Sequence, residues 1–219
     1  MTVDAASRRG RARLELAGTL LGAVFVLAAL VIIWIARASA HRDLYVSELG
    51  ARTEPTAGWF EAALLLIVAG GSLIAYAGRD IRSRLPWLRL WTPAVSLWIG
   101  CGFFLVASQV PCTEGCPLPV GSSFTWEDLI HTLVAVLAFA AACWGMLQVS
   151  FARGHRAIAV MSLAAGGSVA IIAGAGGLLS LFRFHMDFGS RLELVATTIA
   201  LGWVLVLGLA IAVRPVRSD

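Results

Sequence analysis

Lysine is absent from this chain, so all 17 basic residues are arginine, in short clusters between apolar runs. A net charge of +4 and a pI of 9.3 would suit nucleic acid only if the charge formed a basic face. Spaced as they are, the arginines read instead as membrane-topology signals, and no nucleic-acid partner is expected. Charge of either sign is scarce, at 14% of residues against about 25% in soluble domains. Four cysteines in 219 residues exclude a disulfide-dense secreted scaffold. No H-E-x-x-H, H-x-x-x-H or C-x-x-C occurs, so no local metal motif is present.

Apolar side chains are abundant. They make up 59% of the chain, against roughly 45–50% in soluble proteins, and the mean hydropathy is +0.84. These values exclude a soluble globular fold and a disordered tail. A hydrocarbon core of about 30 Å takes roughly 20 apolar residues as helix. Six segments meet that length: Leu14–Ala36, Trp59–Ala77, Trp87–Val110, Trp126–Ser150, Ala157–Phe182 and Leu192–Val213. None alternates strictly as a barrel strand would. The expected fold is an all-α integral membrane protein, a bundle of six transmembrane helices over 14–213. An Arg-rich tail (1–13) precedes it and a short tail (214–219) follows.

Orientation follows from arginine. Twelve lie on one side of the spans: Arg8, Arg9, Arg11, Arg13, Arg79, Arg82, Arg84, Arg89, Arg153, Arg156, Arg214 and Arg217. Five lie on the other: Arg37, Arg42, Arg52, Arg183 and Arg191. The positive-inside rule makes both termini cytoplasmic, in a multi-pass protein of the cell membrane. Acidic residues show the reverse bias, with nine outside and four inside. Ala38-Ser39-Ala40 resembles a signal-peptide cleavage site, but the preceding apolar run exceeds the roughly 7–15 residues of a signal sequence, so the first span is expected to be retained. Trp59, Trp87, Trp91 and Trp126 fall at span ends, where an aromatic belt belongs.

Small residues let membrane helices approach closely. Gly18-x-x-x-Gly22, Gly71-x-x-x-Ala75 and the ridge Ser162, Gly166, Ala170, Gly174 are the candidates, for packing within the bundle or for a homo-oligomer seam. Pro93, about two turns into the third span, is expected to kink it.

Ionisable residues collect at the outer boundary. Glu61 opens span two, Glu127, Asp128 and His131 open span four, and Arg191 and Glu193 open span six, while Ser47 and Glu48 lie in the long first loop. Charge at membrane depth is costly and is normally paired or turned toward protein or water. His131 is i+4 from Glu127 and i+3 from Asp128, so the three share a helix face. These eight residues are the candidate polar pocket. Thr125 with Asp128 three residues on is a variant capping box, which gives the acidic pair an ordinary structural role too. Zinc would draw on His131, His185, Asp128 and Asp187, a dispersed set without a local motif. Ser47 and Ser72 sit in no nucleophile motif.

Cys112 and Cys116 flank Thr113-Glu114-Gly115 in a loop rich in proline (Pro111, Pro117, Pro119). An exoplasmic loop is oxidising, and three intervening residues can turn tightly enough for a disulfide. Cys101 and Cys143 lie at different depths within spans and are not expected to pair.

Tyr45-Val46-Ser47-Glu48-Leu49-Gly50-Ala51 resembles the aromatic-x-Ser-Asp/Glu-Leu-Gly signature of a six-span prokaryotic family, catalogued as domain of unknown function nine hundred and ninety-eight. Pro111-Cys112, His131 and Gly189-Ser190-Arg191-Leu192-Glu193 occupy the places of that family's loop, early histidine and last-span element. The first loop is also similar to that of DRAM- and Sfk-type six-span proteins, which implies lipid-related work. The family carries no settled activity. The expected function is therefore a protein that binds or organises membrane lipids, or supports a membrane-protein partner, through its outer pocket. A metal-dependent intramembrane lipid hydrolase or transferase is the second reading, although span six has no histidine. A small transporter is the third, although no repeat relates 1–110 to 111–219.

The arginine bias makes one direct prediction. In intact cells a membrane-impermeant thiol reagent labels a cysteine engineered beside Arg52 and spares one beside Ser83; labelling at Ser83 from outside refutes the orientation.

Overall fold

The computed structural model describes residues 2–114, 116–117, 124–153 and 156–213; within its first helix, side chains are described at residue 10 and from residue 13 on. The side chains of Arg8, Arg9 and Arg11, the residues Gly115, Pro119, Arg214 and Arg217, and the expected tail 214–219 lie outside the described residues. Six α-helices are described: α1 (Thr2–Ser39), α2 (Ala57–Ala77), α3 (Pro93–Gln109), α4 (Trp126–Ser150), α5 (Arg156–Leu181) and α6 (Met186–Ala212). Short 3-10 turns at Ser47–Gly50 and Pro86–Arg89 interrupt two of the connections. Five helices are long and apolar enough to cross a membrane: α1 over Arg13–Ser39, α2, α4, α5 and α6. The sixth, α3, has 17 residues, or about 26 Å of helix.

Apart from the start of α1, which lies at Thr2 rather than Leu14 so that the expected Arg-rich tail continues the helix, two boundaries differ from the sequence expectation. A continuous span over Trp87–Val110 with a kink at Pro93 does not form. Pro93 is instead the first residue of α3, where its missing N–H belongs to a donor that has no partner inside the helix anyway. Thr92 caps this end, its hydroxyl accepting from the Val95 N–H at 3.3 Å. The stretch before it stays out of the helix because a buried side chain from α4 takes its carbonyls. Gln148 Nε2 donates to the Leu88 and Trp91 carbonyls at 3.1 and 2.8 Å. Gln148 Oε1 accepts from the Ser96 hydroxyl at 2.7 Å, which accepts in turn from Trp91 Nε1 at 2.8 Å. The second difference is that α6 starts at Met186 rather than Leu192. Asp187, expected in the loop before the last span, is therefore helical, and Arg191 and Glu193 lie in the second turn of α6 rather than at its start.

Each helix packs on its chain neighbours, α1 closes onto α6, and α2 also touches α6, so the bundle is a ring. Its burial pattern suits lipid rather than water. Leu133, Val136, Val160, Leu163 and Ile171 face outward, while Ala29, Ala63, Ala138 and Ala196 are fully buried. Small interior residues allow the backbone contact that helix association in lipid depends on. Gly22 and Gly70 meet most closely: a Cβ on Gly70 would lie 2.6 Å from the Gly22 carbonyl oxygen, and one on Gly22 would lie 2.9 Å from that of Gly70. The ridge on α5 serves the bundle along part of its length. The buried Ser162 hydroxyl accepts from Trp203 Nε1 at 2.8 Å and Gly166 faces Met146, whereas Gly174 faces open space.

The two ends of the ring differ chemically. At one, Ser83 bridges to Ala152, the Arg84 N–H donates to the Phe151 carbonyl at 2.8 Å, and Arg79 pairs with Glu15 at 2.7 Å. At the other, the first loop, the disulfide loop and the start of α6 converge.

The Gly22–Gly70 contact generates a prediction. Gly70→Val overpacks it and lowers bundle stability by about 1–3 kcal/mol, read as a lower thermal midpoint in detergent. Gly167→Ala, where a Cβ meets nothing within 4 Å, leaves the midpoint unchanged. Equal behaviour of the two variants would show that α1 and α2 do not rely on this approach.

Candidate functional site

The first loop turns inward because an acid on α6 and the loop backbone satisfy one another. Glu193 Oε2 accepts from the Val46 N–H at 2.7 Å, and the Ser47 amide and hydroxyl lie beside the same carboxylate. Glu193 thus occupies the start of the 3-10 turn Ser47–Gly50, where unpaired N–H groups gather. The same segment supplies a second lock within itself: Glu48 Oε2 accepts from the Tyr45 N–H at 2.7 Å. Burial pushes the Glu48 carboxyl above its ordinary value, while the Tyr45 N–H and Arg42 pull it back. Tyr45 packs its phenol on Gly189, where any Cβ would collide with the hydroxyl oxygen. Gly50 lies under the Phe60 ring, 2.5 Å from where a Cβ would stand, and Leu49 is fully buried. The loop that carries Cys112 and Cys116 docks beside this turn, with the Arg52 N–H donating to the Cys112 carbonyl at 3.3 Å.

An ionic clamp holds the rim. Asp43 pairs with Arg37 at the end of α1 at 2.5 Å and with Arg191 on α6 at 2.8 Å. The Arg37 hydrogen bond, followed by that of Arg191, holds the Asp43 carboxyl below its ordinary value of 3.8. Arg42 pairs with Glu54 at 2.8 Å, and Arg52 with Glu127 at 3.0 Å.

Under this cap the bundle holds a partly open apolar cavity of about 80 Å³. Ser47, His131, Glu193 and Thr197 form its polar end, and Phe60, Phe104, Phe139, Cys101 and Val204 line its body. From Glu193 to Val204 the lining descends about 16 Å along α6, roughly half a hydrocarbon core. His131 is also the partition to a second, outer space lined by Arg52, Glu61 and Ser108. Buried His131 places Nδ1 2.8 Å from the Val110 carbonyl oxygen. A carbonyl only accepts, so Nδ1 carries the proton and, in the neutral ring, Nε2 is left as an acceptor.

The structure thus divides the eight candidate pocket residues. Ser47, His131 and Glu193 share the cavity wall, and Glu61 borders the outer space beside His131. Asp128 is fully buried and is consumed structurally: it accepts from the Thr113 N–H and hydroxyl, both at 2.8 Å, and from the Thr125 hydroxyl. Thr125 caps α4 by accepting the Asp128 N–H at 3.0 Å. Glu127, Glu48 and Arg191 are held in the pairs described above. Thr197 and Asp43 were not among the candidates. Thr197 carries a weak signal, a hydroxyl one turn below Glu193; Asp43 carries none, because its partners lie on helices far apart in sequence.

Cys112 and Cys116 form a disulfide across a turn closed by the Cys116 N–H on the Thr113 carbonyl at 3.0 Å. Their sulfurs and a His131 ring nitrogen lie within 4.8 Å of one another, the only such ligand group among the described residues. Bonded to each other, these sulfurs are not thiolates, which a soft metal requires. His185, Asp128 and Asp187 do not join the group.

A family model described as "Protein of unknown function (DUF998)" matches residues 20–210. No curated protein and no solved structure matches the chain, so the likeness to DRAM- and Sfk-type proteins gains no support.

The rim clamp sets a pH dependence. Because the folded-state value of Asp43 is lowered, its stabilisation is present above the ordinary 3.8 and is lost as pH falls through the lowered value. Asp43→Asn therefore has a lower thermal midpoint than the wild type near neutrality, and the two converge as the solution is acidified below the ordinary carboxylate range. A difference independent of pH would show that the clamp does not act through ionised Asp43.

Proposed function

The chain belongs to the DUF998 family, and from that premise we propose that it is a multi-pass protein of the cell membrane that binds a lipid from the outer leaflet. Both termini are cytoplasmic in this reading, so the disulfide end of the ring faces outward. Two features support that orientation: the arginine bias of the sequence, and the disulfide, which belongs to an oxidising compartment.

The observation that carries the reading is the amphipathic cavity. A polar end built by three different parts of the chain caps a shaft of aromatic and small apolar side chains. A water-filled path would need polar lining along its depth, and below Thr197 none of the residues named for the shaft is charged. About 80 Å³, at the roughly 10–15 Å³ that one water-sized sphere occupies, is room for one slim chain rather than two. Binding, presentation or organisation of lipid fits this geometry with no chemical step required.

Filling the shaft tests the proposal. Lipid is extracted from purified protein and identified by mass spectrometry. Wild-type protein retains a stoichiometric lipid, and Ala200→Phe, which projects a ring into the cavity, loses most of it while keeping the wild-type elution volume and helical content. Retention unchanged in Ala200→Phe, or no lipid on the wild type, would remove the reading.

A further inference from the structure

Thr197 is the one cavity residue whose bonding is unexplained by the fold. It is 7% exposed, and its hydroxyl oxygen has no hydrogen-bond partner among the described residues. A threonine in a helix ordinarily returns its hydroxyl to the carbonyl one turn earlier. Its neighbour does so, Thr198 donating to the Leu194 carbonyl at 2.8 Å, as does Thr19 to the Glu15 carbonyl at 2.7 Å. Thr197 does not, and it borders the cavity. A buried hydroxyl left unpaired is destabilising, so its persistence points to a partner that occupies the cavity.

The polar end also has a definite hydrogen-bonding character. Glu193 Oε2 accepts the Val46 N–H, and in the neutral ring His131 Nε2 accepts because Nδ1 is committed to Val110. The Ser47 and Thr197 hydroxyls take either role. No lysine exists in the chain and no arginine lines the cavity. Arg52 borders only the outer space and is already paired with Glu127. An anionic headgroup would therefore enter a site of low dielectric with no lysine or arginine to offset its charge, where an unpaired buried charge is costly.

Resting on the lipid-binding reading above, we infer that the ligand is a single-chain lipid with an uncharged headgroup that carries hydroxyl groups. Its chain fills the shaft, and its hydroxyls donate to Glu193 and His131 and accept from Thr197. Phosphate- and carboxylate-bearing lipids are disfavoured by the same surfaces.

The test uses full-length protein in detergent micelles and a monoacylglycerol with a diazirine on its chain. Light should attach the probe to peptides of α4 and α6. Unlabelled monoacylglycerol should compete better than the methyl ester of the same fatty acid, which lacks an O–H, and better than the matching monoacyl glycerol phosphate. Thr197→Val, which keeps the shape and removes the hydroxyl, should weaken the competition by monoacylglycerol roughly 2- to 10-fold while leaving that by the methyl ester unchanged; Thr197→Ser should restore it. If the phosphate competes as well as or better than monoacylglycerol, or if Thr197→Val weakens every competitor equally, the headgroup assignment fails and lipid binding stands. If no probe marks α4 or α6, and Ala200→Phe changes nothing, lipid binding fails with it.

Discussion

The meeting of the Glu193 carboxylate with the backbone N–H of Val46 resolves two deficits at once. A carboxylate inside an apolar bundle forfeits hydration worth several kcal/mol, and a loop pressed into that bundle brings N–H groups that water can no longer serve. Each supplies what the other lacks, and losing the bond would leave a buried polar group unpaired at a cost of about 1–3 kcal/mol. Much of the disulfide end of the ring follows from it. Once Val46 is pinned to α6, Tyr45 comes to lie on Gly189, Leu49 enters the core and Gly50 passes beneath Phe60. The Asp43 clamp ties the same loop to both α1 and α6, which closes the ring over the cavity.

The cavity survives because packing is uneven along the ring. Where α1 and α2 cross, Gly22 and Gly70 bring the backbones into contact and leave no space. Toward α3, α4 and α6, Phe60, Phe104 and Phe139 share the lining with alanines and glycines, and a gap remains among them. The opposite end is sealed differently, by the Gln148 network that binds the Pro86–Trp91 segment to α4. The Gln148 end is thus tied down largely by amide bonding and the loop end by carboxyl groups, and the polar chemistry of the pocket follows from the second.

Two stretches singled out in the sequence, 45–51 and 189–193, prove to be the two sides of one contact. Glycines at 50 and 189 are needed there for close approach rather than for turns, and Glu48 and Glu193, similar as sequence features, diverge. Glu48 serves its own loop through Tyr45, while Glu193 crosses to another element and faces the cavity. Asp128, which looked equally suited to a pocket, is taken by three donors from Thr113 and Thr125.

What the sequence determined by itself is what depends on composition and local spacing. Runs of apolar residues dictate helices, because a backbone without water must bond to itself. Thr125 three residues before Asp128 dictates a cap, and Cys112 four residues before Cys116 allows a disulfide. What only the tertiary structure decided is which polar groups meet. Pairing energy depends on distance between side chains from helices remote in sequence, and that distance is set by how the ring closes. Gln148 drawing Leu88 and Trp91 out of α3, Asp43 joining Arg37 to Arg191, and Thr197 without a partner among the described residues above an apolar shaft all arise at that level.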